Sequence, residues 1–81
     1  MPDVAIDISQ LFIGNARISE LDEYIKKVVV LAGEGKDVII TGPAPVWLYL
    51  KIGHALHGKA KKLIYRSPVT GDMVIFDHSP Y

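Results

Sequence analysis

With 81 residues the chain has room for one domain, and a core this small is commonly completed by oligomerisation. The absence of cysteine excludes disulfides and thiolate metal sites, and a hydrophobic share of 49% with 22% charged residues belongs to a globular protein rather than a disordered tail. Nine basic residues balance nine acidic ones, but seven acids and four bases fall at or before Thr41 and two acids and five bases after it. The second half therefore suits a small anionic ligand better than long duplex DNA. No apolar run is long enough to span a membrane, and Met1-Pro2-Asp3 does not open a secretion signal, so the expected location is the cytoplasm.

Val4-Ala5-Ile6-Asp7-Ile8 reads as a first strand, with Asp7 facing an edge or solvent. Leu11-Phe12-Ile13 either extends it or tucks under the sheet before Gly14-Asn15 turns the chain. Ser19 and Asp22 resemble a capping box before Leu21, Tyr24, Ile25, Val28, Val29 and Ala32, which recur at helical spacing. A first helix is predicted over Glu20–Ala32, with Asp22/Lys26 and Glu23/Lys27 as outward pairs and Gly33 as its stop. Gly33-Glu34-Gly35-Lys36 is too short for a phosphate loop and reads as a turn.

Val38-Ile39-Ile40-Thr41 is apolar and β-branched without alternation, the pattern of a strand covered on both faces in a parallel sheet. Gly42 breaks it, and Pro45, which lacks an N–H, suits the first position of a helix running toward Gly58. The amides of Val46, Trp47 and Leu48 then lack intrahelical acceptors, and with the helix dipole and the Thr41 hydroxyl they form a candidate phosphate site. The plain alternative is an ordinary strand-to-helix connection. Leu48, Ile52, Ala55 and Leu56 share the core side of this helix, while Trp47, Lys51 and His54 share another side, open to solvent or a second subunit. His57 lies at the helix end, where a capping role competes with a chemical one. Leu63-Ile64-Tyr65 and Met73-Val74-Ile75-Phe76 read as strands joined by the turn around Ser67-Pro68-Val69-Thr70-Gly71-Asp72.

The predicted fold is thus α/β: an open β-α-β-α-β-β sheet of three parallel strands with an antiparallel C-terminal edge strand, one domain over residues 1–81. Trp47, Tyr49 and Leu50 leave apolar area that predicts at least a homodimer.

Ile40-Thr41-Gly42, Pro45-Val46-Trp47-Leu48, the spaced His54 and His57, Tyr65 before Pro68 and Gly71, and His78-Ser79 together resemble the small CRISPR-associated Csx-three family over about residues 38–79. The resemblance implies a Rossmann-like domain of type III CRISPR defence. It further implies a ring nuclease that binds cyclic tetra-adenylate between stacked dimers and linearises it with manganese, and it also brings in a 3' RNA deadenylating activity. Carried over, Thr41, Gly42, Pro45, Val46 and Trp47 correspond to the ligand-binding loop, His57 to the catalytic histidine and His78 to a histidine near the ligand.

Two departures stand out. The family's loop Arg-Gly is Pro43-Ala44 here, and its Tyr-Asp-Pro reads Tyr65-Arg66-Ser67-Pro68, without the acid that serves metal binding and catalysis. Asp72 is the candidate replacement, as acid and, with His57, as metal ligand. His57 lies some twelve residues beyond Pro45, roughly 18 Å along a helix, so both reach one phosphate only if subunits share a site. The expectation is an enzyme acting on cyclic tetra-adenylate or short RNA as a homodimer, tetramer or head-to-tail stack. A binding-only module and a structural subunit are the alternatives.

Overall fold

The computed structural model describes residues 3–78. Strand β1 (Asp3–Asp7) leads through two 3-10 helices, Ile8–Leu11 and Ile18–Glu20, to helix α1 (Leu21–Ala32); β2 (Asp37–Thr41), α2 (Val46–Leu56), β3 (Lys62–Ser67) and β4 (Gly71–Asp77) follow. The sheet order is β1-β2-β3-β4. The first three strands are parallel, with Ile6 opposite Ile40 and Val38 opposite Leu63, and β4 returns antiparallel along β3. A register shift lies between Leu63 and Ile64, where β4 runs from Phe76 to Val74.

Two crossovers step in the same direction across the sheet, and with the right-handed connection that parallel strands favour both helices fall on one face. Accordingly Tyr24, Val28 and Ala32 of α1 and Leu48, Ile52 and Leu56 of α2 share a core with Ile6, Val38, Ile40 and Leu63. Ile39 lies on the other face, in register with Ala5 and Ile64, and Ile64 with Val74. That face carries no helix, so Val38–Thr41 has a helix layer on one side only, unlike the doubly covered strand its unalternated sequence suggests.

Other local expectations change for identifiable reasons. Ile8 leaves the strand because the Asp7 carboxylate accepts from the Ser9 amide at 3.0 Å and its hydroxyl at 2.6 Å, capping the first 3-10 helix. Leu11 is buried and Phe12 packs against the core, whereas Ile13 is fully exposed, so the segment tucks under the sheet. The Ser19/Asp22 box does not form: Glu20 holds the N-cap position of α1 without a side-chain bond, and Tyr24 accepts from the Arg17 amide beneath it. On the outer face the ion pair formed is Glu23–Lys26 at 3.6 Å. No helix among the described residues is long and apolar enough to cross a membrane.

Candidate functional site

The C-terminal ends of β1, β2 and β3 meet the turn before α2. Gly42 adopts φ +101°, and a Cβ there would lie 2.0 Å from an Asp7 carboxylate oxygen, so both the backbone and the neighbour demand glycine. Pro45 is the N-cap of α2 rather than its first helical residue, with φ −61° and ψ 148°. Its carbonyl accepts from the Leu48 amide at 3.1 Å and the Tyr49 amide at 3.3 Å. Leu48 therefore drops out of the expected trio of free amides, leaving those of Val46 and Trp47 at the helix start.

The Thr41 hydroxyl donates to the Arg66 carbonyl at 2.8 Å, tying the end of β2 to β3. Its single proton is committed there, so Thr41 can only accept from a ligand while that bond lasts. A pocket of about 590 Å³ opens around the turn, lined by Thr41, Gly42, Val46, Tyr49, Tyr65 and Arg66 among others. Pro45 and Trp47 are not among its lining residues, and Trp47 is half-buried against the core.

Two tyrosines underpin this turn. Tyr49 donates its hydroxyl to the Gly42 carbonyl and packs edge-on to Tyr65 with ring centroids 5.2 Å apart. Burial first, then the neighbouring Tyr65 and Asp7, push the Tyr49 hydroxyl from 10.0 up to about 12. Since the folded value lies above the unfolded one, the native chain keeps a proton that the unfolded chain loses. This contribution is complete below pH 10.0 and disappears as the pH rises to about 12. Tyr49→Phe should flatten the loss of stability across that window, followed by denaturant unfolding against pH. It should also cost about 1 kcal/mol at neutral pH through the unpartnered Gly42 carbonyl.

Arg66 and Asp72 face each other across β3 and β4, joined by two hydrogen bonds of 2.8 and 3.1 Å. The bond to Arg66 holds the Asp72 carboxyl below its ordinary range, and Asp72 raises the guanidinium in return. Both groups are exposed, so the pair orients Arg66 more than it stabilises the fold.

The histidines occupy the opposite end of the sheet. His57 is the C-cap of α2, and its ring stands edge-on to Phe76 at 5.2 Å and to His78 at 4.7 Å. Phe76 and His78, two apart on β4 and its continuation, stack at 4.7 Å, and the His78 amide bonds to the Lys61 carbonyl at 2.8 Å. The Lys61 ammonium reaches 3.7 Å from Asp37 at the start of β2.

His57 and His78 are thus brought together, whereas Asp72 sits five strand residues from Asp77, about 17 Å away at the turn end. The β3–β4 hairpin puts His57 and Asp72, the candidate metal ligands, at opposite ends of the sheet. No group of three His, Cys, Asp or Glu side chains among the described residues converges on a common point.

Sequence reasoning missed Asp7, Tyr49 and Arg66 at the turn. Asp7 was legible as the acid ending a strand of a parallel sheet, where ligands gather; the two others depend on contacts that no local pattern encodes.

Fold and geometry define a small open α/β protein with a turn pocket at one end and paired histidines at the other. Over residues 20–81 it matches the family model described as CRISPR-associated protein (Cas_csx3), and the chain belongs to that family. The match takes in α1, which lies before the motifs that suggest the relationship. No match is found among curated proteins or among solved structures.

Proposed function

We propose that the chain binds a cyclic oligoadenylate, cyclic tetra-adenylate by family resemblance, and cleaves it at a site shared by two subunits stacked head to tail. The observation that carries this reading is the pairing of His57 and His78 at one end of the sheet with the turn pocket at the other. The eleven residues of α2 hold the two ends about 16 Å apart, so one phosphate meets both only between chains. On this reading the domain is related to the Rossmann-like sensor domains of type III CRISPR defence.

In the turn pocket, the Val46 and Trp47 amides and Arg66 receive phosphate. Arg66 is the only cation among the pocket's lining residues and stands in for the loop arginine absent at Pro43-Ala44. At the other end, one imidazole takes the proton of a ribose 2'-hydroxyl as its oxygen bonds to phosphorus. The second imidazole protonates the departing 5'-oxygen as that bond breaks. Manganese, which the family resemblance implies, would polarise the phosphoryl oxygens.

Incubation with cyclic tetra-adenylate, with and without manganese, followed by chromatography of the products, tests the proposal. Linear product supports it; intact, tightly bound ring gives the binding-only module, which the engagement of Asp72 by Arg66 favours. Shortening of a linear oligoadenylate from its 3' end, with the ring untouched, gives the deadenylating reading.

A further inference from the structure

Strand β4 forms one edge of the sheet: it bonds to β3 on one side, and among the described residues no strand lies on the other. Its outward N–H and C=O groups, at alternate residues, are therefore left to water or to another strand. Exposed edges are commonly kept short or interrupted by lysine or proline. At seven residues β4 is the longest strand of the sheet, and it contains neither. Its centre is apolar and open, with Met73 55%, Val74 52% and Ile75 50% exposed. The register shift beside Ile75 bends the strand without placing a charge in that run. The opposite edge, β1, is shorter and carries Asp3 and Asp7 at its ends.

On the helix side the β4 edge borders an open trough of about 470 Å³ between α2, β3 and β4, with Leu50, Leu63, Tyr65 and Ile75 among its walls. No aspartate, glutamate, lysine or arginine lines it, and the Tyr49 hydroxyl on its wall is donated to Gly42. A strand added beside β4 would send alternate side chains to that side, next to Ile75 and the mouth of the trough, and the others to the bare side, next to Val74. In strand addition the main-chain bonds supply affinity, and pockets for alternate side chains supply selectivity.

We propose that the β4 edge is a docking site for an extended segment of another protein, apolar at alternate positions and carrying lysine or arginine at both ends. The end charges follow from Asp72 and Asp77, which bracket the apolar run. The same two carboxylates oppose self-pairing. Two antiparallel copies of β4 with Met73–Phe76 in full overlap would set Asp72 of each against Asp77 of the other, and like charges directly opposite are destabilising. The site uses neither His57, His78 nor Arg66, so it stands whether or not the chain cleaves a cyclic oligoadenylate.

Fluorescence anisotropy on the whole chain with the labelled, end-capped peptide Lys-Val-Thr-Val-Thr-Val-Lys should show saturable binding. Hydrogen exchange in the complex should slow at the amides of β4 and stay unchanged in α1. Proline in place of the central valine of the peptide should abolish binding by removing a main-chain donor, and glutamate in place of both lysines should weaken it. On the protein side, Met73→Lys and Ile75→Lys should each raise the dissociation constant at least about fivefold, the size of one lost cross-strand pair. Circular dichroism should be unchanged in both, since the two side chains are half-exposed. Val30→Lys, on the exposed side of α1, should have no effect on binding. Equal binding of the proline peptide, indifference to both β4 substitutions, slowed exchange away from β4, or a lack of saturable binding would overturn the proposal. Self-association of the free chain that Ile75→Lys abolishes would give the edge to a second copy and overturn it as well.

Discussion

His57→Ala is expected to lower cleavage of cyclic tetra-adenylate by about a hundredfold, the lower range for losing a general acid or base, with little change in binding. The side chain is exposed, and the cap of α2 is made by the His57 backbone amide bonding to Gly53 and His54, which alanine preserves. Arg66→Ala should do the reverse and weaken binding, because Arg66 lines the turn pocket and lies at the opposite end from the imidazoles. Mixing the two variants is the decisive arm. In a head-to-tail stack some contacts join the intact turn of one variant to the intact histidines of the other, so cleavage should partly recover. Undiminished cleavage by His57→Ala would remove it from the chemistry, and the absence of any recovery would place both groups in service of a single chain.

The elements that sequence predicts well are those whose signal is local. The period of Tyr24, Val28 and Ala32 in α1, the unalternated Val38–Ile40 and the glycine at position 42 each express a rule of nearest neighbours or of one helical turn. Two crossovers followed by a short hairpin then leave few pairings, and the observed parallel strands with an antiparallel edge are the simplest of them. The candidate site is legible more unevenly. His57 and His78 come together because α2, returning along the sheet, ends where β4 also ends, and both lengths can be read from sequence. The commitment of the Thr41 hydroxyl to the carbonyl of Arg66, 25 residues away, cannot be read this way. Nor can the seating of the Asp7 carboxylate against Gly42, since it depends on the side-chain conformation that Ser9 imposes. Asp72 illustrates the same boundary: the turn it occupies is plain in the sequence, but its engagement by Arg66 follows from the β3–β4 register.

Ile52→Ala should be the most destabilising of the substitutions considered, because Ile52 is fully buried at the middle of α2 within the core. Truncating such a side chain costs about 2–5 kcal/mol in lost burial and cavity formation. A chain of this length has about 4–12 kcal/mol in all, so the variant should be close to unfolded at physiological temperature. In a domain this small each kcal/mol moves the thermal midpoint by roughly 4–8 °C, and a fall of at least about 10 °C is expected by calorimetry on dilute protein. Its neighbours provide the contrast that makes the result specific. Leu50, two positions earlier, is exposed, and Leu50→Glu should change the stability of the monomer by no more than about 0.5 kcal/mol, the range of surface changes. Gly53→Ala, one position later, should raise it by up to about 1 kcal/mol through helix propensity. Three substitutions within four residues thus carry three different effects, set by which side of α2 each occupies, and a small effect at Ile52 would mean that α2 does not lie against β2 and β3 as described.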